Sequence, residues 1–213
     1  MNPRTRHEIW QGMAGPVEVS IDEPTGAVKG LAVIAHPHPL FGGTMDNKVV
    51  QTLARAFVQC GWTAVRFNFR GVGATQGVHD DGRGELQDLL AVVEQVAPAG
   101  EGAQPLALAG FSFGAFVTSH ALATLWPQRH IDRAVLVGTA ASRFTVAPVP
   151  PEAHLRTLVV HGEQDDTVAL SAVMDWARPQ TLPVTVVPGG GHFFHGQLPL
   201  LKNLVVRHLQ SAL

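Results

Sequence analysis

Hydrophobic and polar positions follow two rhythms along this chain. From residue 30 onward, short continuous apolar runs alternate with longer stretches of helical spacing. The runs lie at 30–35, 62–69, 105–111, 132–138, 157–161 and 183–188. Continuous apolar runs of this length suit parallel strands buried on both faces. Helical spacing appears at 45–60, where Val49, Val50, Leu53, Ala54, Phe57 and Val58 fall on one side. It recurs at 84–96, from Ser112 to about Leu125, at 169–178 and at 198–209. Before residue 30 the pattern changes to alternation, at 7–13 and 16–22, which predicts an antiparallel pair. Strand alternating with helix argues an α/β fold with a mostly parallel sheet and helices on both faces.

Glycine and proline mark the joints. His36-Pro-His38-Pro-Leu40-Phe41-Gly-Gly43 follows the run at 30–35 and, with its prolines and glycines, is expected to be neither regular helix nor strand. Arg70-Gly-Val-Gly73 follows the run at 62–69, and Gly189-Gly-Gly-His192 follows the last run. A loop is expected at 97–104, and the segment 139–156 is proline-rich and irregular. No repeat or low-complexity stretch interrupts the alternation, so residues 1–213 read as one domain.

In such a sheet, ligands bind at the carboxyl ends of the strands. His36, His38, Arg70, Ser112, Asp165 and His192 all follow strand ends. The stretch around Ser112 reads strand, turn, helix, and the turn spells Gly110-Phe-Ser112-Phe-Gly114. This is the nucleophile-elbow pattern, which holds a serine hydroxyl out on a strained turn. A serine hydroxyl is a weak nucleophile and needs a base that is itself oriented by a third group. His192 is the candidate base and Asp165 the candidate orienting acid, giving the chain order Ser, Asp, His. Asp166 is the alternative acid and His195 the alternative base.

An oxyanion needs N–H donors. Phe113, the residue after the serine, supplies one. The loop after 30–35 supplies the other, and Pro37 and Pro39 have no N–H, which leaves His38 or Leu40, with His38 preferred. His36, Phe41, Phe193 and Arg70 are candidates for lining the substrate site. Arg70 has the competing task of pinning its glycine turn. His36 and His38 are too few ligands for zinc, so no metal is expected.

Composition narrows the classes further. With 46% hydrophobic and 15% charged residues the chain is globular rather than disordered. A net charge of −2 gives no basic footprint for nucleic acid. The N-terminal residues lack an apolar leader, and no run is long enough to span a membrane. The cytoplasm is the expected compartment. The single cysteine, Cys60, excludes an internal disulfide and is expected to be a buried apolar side chain. Nothing here indicates an oligomeric state.

Five segments together resemble the α/β-hydrolase superfamily, and within it the small lidless bacterial serine hydrolases. They are His36-Pro-His-Pro-Leu-Phe-Gly-Gly-Thr-Met-Asp-Asn-Lys-Val-Val50, Phe67-Asn-Phe-Arg-Gly-Val-Gly73, Gly110-Phe-Ser-Phe-Gly114, His161-Gly-Glu-Gln-Asp165 and Gly191-His-Phe-Phe-His-Gly196. The resemblance covers nearly everything after residue 15. Thr75 departs from it, since the family's turn usually continues with serine there. It implies a Ser112–His192–Asp165 triad, an esterase-like reaction on a small-molecule ester, and no cofactor. Thioester or amide cleavage, acyl transfer or lyase chemistry on the same scaffold, and a binding protein without turnover remain alternatives. The segment 139–156 sits where larger relatives carry a helical lid and is too short for a multi-helix one, so an open site is expected.

Overall fold

The alternating N-terminal segments form β1 (Arg6–Gly12) and β2 (Gly15–Asp22), an antiparallel hairpin. The apolar runs form β3 (Gly30–Ala35), β4 (Trp62–Phe67), β5 (Leu106–Phe111), β6 (Ile131–Val137), β7 (Thr157–Gly162) and β8 (Val184–Val187). These eight strands make one sheet in the order β1-β2-β4-β3-β5-β6-β7-β8. Pairings from β4 to β8 are parallel, while β2 meets β4 antiparallel. The computed structural model describes residues 5–100 and 103–212. Residues 1–4, on which part of the expectation about the N-terminal stretch falls, lie outside the described residues. So do 101 and 102, within the expected loop at 97–104, and 213.

Helices α1 (Lys48–Gln59) and α5 (Leu198–Gln210) cover one face of the sheet. Helices α2 (Arg83–Val96), α3 (Phe113–Leu125) and α4 (Leu170–Ala177) cover the other. Side chains alternate along a strand, so each central strand feeds both cores. In β3, Ala32 and Ile34 pack toward α1, whereas Val33 and Ala35 pack toward α2 and α3. In β5, Leu106 and Leu108 face α3, and Ala107, Ala109 and Phe111 face α1. This two-sided burial is why these strands read as continuous apolar runs. Cys60 is buried beside them, as expected.

Boundaries differ from the sequence reading for definable reasons. The helix read from 45 starts at Lys48, where Asn47 Oδ1 accepts the Val49 N–H at 2.9 Å and caps it. Met45 is diverted, its N–H bonding Asn68 Oδ1 and its carbonyl taking Arg66. The strand read to 69 stops at Phe67, because Asn68 N–H turns to the Glu18 carbonyl and Phe69 N–H to His36 Nε2. The segment 139–156 ends in a 3-10 turn, Pro151–Arg156, that runs directly into β7. Among the described residues, no helix is long and apolar enough to cross a membrane.

The chain winds outward from β3 to β4 and then returns to add β5 on the other side of β3. The strand order reverses there, and a crevice opens at the carboxyl ends. Ser112 follows β5 directly at that crevice.

Fully buried His36 and partly buried His208 are held as neutral rings. Burial pulls His36 down to about 4, partly offset by its Nδ1–H bond to the Pro37 carbonyl. Burial, aided by the Arg133 charge, likewise pulls His208 on α5 down to about 4. A histidine pKa lower in the folded state means the unfolded chain binds more protons between about 4 and 6.5. Stability therefore rises with pH across that window and is lost as pH falls through it. His208→Gln is expected to flatten the dependence of unfolding free energy on pH there, by about 1 kcal/mol per pH unit. Urea unfolding at pH 4.5, 5.5 and 6.5 measures this, and an unchanged slope would refute it.

Candidate active site

Three loops at the carboxyl edge bring Ser112, His192 and Asp165 together. Ser112 Oγ lies 3.0 Å from His192 Nε2, and His192 Nδ1 lies 2.7 Å from Asp165 Oδ2. All three are buried. Ser112 has φ 57° and ψ −117°, a conformation that side chains rarely adopt and that stores strain. Its N–H is held by the Val137 carbonyl at 2.8 Å, and its own carbonyl receives Ala115 and Phe116 in the first turn of α3. A Cβ at Gly110 would fall on the Gly114 backbone, and one at Gly114 on the carbonyls of Ala35 and His36. Only glycine at both places lets α3 start this close to β3 and β5.

Asp165 is fixed from two directions. Its Oδ1 accepts the Thr167 N–H at 2.9 Å and the Val168 N–H at 2.7 Å. Its Oδ2 faces His192 Nδ1–H, and His161 Nε2 lies 3.4 Å away. Burial pushes the carboxyl up, but the bonds from His192 and Val168 and the nearby imidazoles outweigh it. The net result lies below the usual carboxylate value, so Asp165 is an anion. His161 is fully buried, and burial lowers its pKa, so the ring is neutral. Its Nε2–H donates to the Val168 carbonyl at 2.9 Å. It thereby secures the same turn that presents Asp165.

The loop after β8 turns through a bond from Gly190 N–H to the Val187 carbonyl and one from Phe194 N–H to the Gly191 carbonyl. Phe194, at φ 51° and fully buried, anchors it and leaves Phe193 outside. The alternative partners point elsewhere. Asp166 is exposed and bonds only the neighbouring Thr167 hydroxyl among the described residues. It does not cap α4, whose N-cap is Ala169. His195 is exposed and rests its ring against Phe193.

A cavity of about 350 Å³ opens onto Ser112 and His192. Phe41 and Phe193 line it, with Phe113, Phe144 and Val168. His38 also lines it, its ring packed against Phe41 and Phe113. Its Nδ1 accepts the Leu40 N–H at 3.2 Å, which occupies one of the two donors considered for the oxyanion. Phe113 opens α3, so its N–H precedes the helix's own carbonyl acceptors.

Two expected lining residues do not reach the cavity. His36 is fully buried beneath it, donating Nδ1–H to the Pro37 carbonyl at 2.6 Å and accepting the Phe69 N–H at 3.0 Å. Both ring nitrogens are committed to the backbone, so it staples the loop after β3 to the loop after β4. Arg70 forks onto Asp88 of α2, with Nε to Oδ2 at 3.0 Å and Nη2 to Oδ1 at 2.8 Å. A buried carboxylate claims the guanidinium, which pins the glycine turn through a side chain and not through carbonyls. Thr75 closes the same turn, its hydroxyl donating to the Asn68 carbonyl and accepting the Glu18 N–H. A serine hydroxyl could make the same two bonds.

Sequence reading missed Ala140, Arg143, Phe144, Thr167 and Val168 in the lining. The first three lie in the irregular segment 139–156, where no periodicity marks a face. That segment is laid along α3 and α4. Phe144 stacks on Phe116 at 4.7 Å, Ala147 N–H bonds Ser119 Oγ, and Trp176 Nε1–H bonds the Ala147 carbonyl. It forms a wall of the cavity and does not cover it. Among the described residues, no group of three or more His, Cys, Asp or Glu is arranged to hold a metal ion.

Similarity to known proteins agrees with this architecture. A serine hydrolase without a lid from Xanthomonas campestris is 35% identical, with a TM-score of 0.87 over 99% of this chain and 95% of that one. An α/β serine hydrolase homologue from Coxiella burnetii is 38% identical, with a TM-score of 0.80 over 98% of each chain. An uncharacterized protein from Rickettsia prowazekii is 28% identical over 198 residues, which is 87% of this chain and 80% of that protein. The sequence model of the family described as serine aminopeptidase, S33, matches residues 27–151, more than half the chain. The chain belongs to that family and is an α/β serine hydrolase without a lid.

Proposed function

We propose that residues 1–213 act as one domain that cleaves carboxylic esters through an acyl-enzyme on Ser112. The hydrogen-bonded chain from Ser112 through His192 to Asp165 carries this reading. His192 Nε2 takes the serine proton as Oγ attacks the ester carbonyl. Asp165 holds the ring in the Nδ1–H tautomer and stabilises the imidazolium. The backbone N–H groups of Phe113 and His38 receive the oxyanion; Leu40 is the weaker choice because His38 Nδ1 already engages its N–H. His192 then protonates the leaving alcohol and activates water, which cleaves the acyl-enzyme and frees Ser112. Protons and bonds balance without a cofactor.

Esters of short or accessible acyl groups fit a 350 Å³ cavity with apolar walls and no cover. The family's description raises peptide cleavage from an amino terminus as a second reading. A peptide ammonium group needs a nearby carboxylate, and the described cavity lining holds neither Asp nor Glu. That favours the ester.

Ser112→Ala is expected to lower kcat for 4-nitrophenyl acetate by about 10⁴-fold or more and to abolish fluorophosphonate labelling. Full activity in that variant would remove the proposal. Asp165→Asn has a particular consequence here. The Thr167 and Val168 N–H groups require an acceptor at the Oδ1 position. The asparagine NH₂ is thereby forced toward His192 Nδ1 and selects the wrong tautomer. A loss of about 10⁴-fold in kcat is expected, with a folded protein by circular dichroism. A loss smaller than about tenfold would show that Asp165 does not orient the base.

A further inference from the structure

Of the described residues lining the cavity, Arg143 is the only permanent cation, and none is an acid. Most other arginines are already engaged. Arg6, Arg66, Arg70, Arg83, Arg133, Arg156 and Arg178 each pair with a carboxylate. Among the described residues, no carboxylate lies within ion-pair distance of Arg143. The residue is exposed and lines the cavity.

The backbone beneath Arg143 is rigid. Arg143 N–H and Phe144 N–H both bond the Ala140 carbonyl at 3.1 Å, and Ala141 N–H bonds the Thr139 carbonyl. Phe144, the next residue, is stacked on Phe116 and touches Phe113. The cation is therefore presented from a fixed turn and not from a loose loop. Its field reaches the site floor, where it helps hold His38 below the ordinary histidine value, after burial and His79. The walls beside it, Phe41, Phe144, Phe193 and Val168, are apolar, which strengthens a charge contact made against them. The N-terminus of α3 adds positive potential at Phe113.

We propose that Arg143 selects esters that carry a carboxylate, binding it by charge-assisted hydrogen bonds while Ser112 attacks the ester carbonyl. This inference rests on the ester-cleaving reading and names its substrate class. A guanidinium suits a planar carboxylate because two N–H groups can meet both oxygens. A neutral ester of equal length forgoes that contact.

Two matched pairs of esters test it, one for each side of the scissile bond. On the acyl side, the mono-4-nitrophenyl ester of adipic acid is compared with 4-nitrophenyl hexanoate. On the alcohol side, 4-acetoxybenzoate is compared with its methyl ester. The readout is the ratio of kcat/KM for the charged over the neutral ester. In at least one pair the ratio is expected to fall about tenfold in Arg143→Gln and further in Arg143→Glu, with Arg143→Lys keeping part of it. The affected pair shows which side carries the charge. Ratios that stay the same in wild type, Arg143→Gln and Arg143→Glu for both pairs would overturn the inference. Binding of the same esters to Ser112→Ala, with and without Arg143→Gln, reads the contact without turnover. Charge-selective binding lost with Arg143→Gln would support it even if the wild type cleaved neither ester, a result that would count against the esterase reading alone. Equal binding of charged and neutral esters would overturn it.

Discussion

The structure depends on how closely α3 approaches the sheet at Ser112. Gly110 and Gly114 remove the two side-chain carbons that would collide there, and Ser112 takes a backbone shape that costs on the order of 1–3 kcal/mol. Central burial meets this cost. β5 is buried along its whole length, and α3 is buried from Phe113 through Ser119. A helix apolar on nearly every side has no stable place except inside the fold. The same burial that makes α3 a core helix holds its first residue beside Ser112. The hydroxyl and the Phe113 N–H are therefore aimed by the hydrophobic core.

Polar contacts beneath the surface then set the remaining loops. Arg70 and Asp88 tie the turn after β4 to α2, and His36 ties the turn after β3 to Phe69. Asn68 takes Met45 N–H with its oxygen and gives its amide to Glu18, while Thr75 completes the same knot. Each of these groups is buried or nearly so, and each would be costly if left unpaired. They place the His38 segment against Phe113 without touching Ser112 or His192. His161 does the equivalent work for Asp165 from the floor of β7.

The strands and helices were legible because burial on two faces writes a continuous apolar run, and burial on one face writes a helical period. Ser112, Asp165 and His192 stood out because each follows a strand and their order fits one known geometry. Other positions had no such signature. His36 and Arg70 also follow strands, yet both are turned inward by partners far away in sequence, Phe69 in one case and Asp88 in the other. Strand-end position alone does not separate a side chain facing the cavity from one bracing it. Arg143 and Phe144 were invisible for the opposite reason. Their segment takes its shape from the surface of α3 and from hydrogen bonds to Ser119 and Trp176, and leaves no period of its own.

The segment 139–156 has a further consequence because it is bolted down. Many enzymes gain selectivity by coupling the right ligand to a closing movement, so that the wrong ligand fails to assemble the machinery. Here Phe144 is stacked in place, and the wall it belongs to is tied to α3 and α4 before any ligand arrives. Discrimination must come from fit and charge in a preformed vessel. For purely apolar differences, such a vessel separates neighbours by only about 10- to 200-fold per methylene. A chain built this way accepts a family of related molecules, and its sharper choices fall to the few polar groups at the rim.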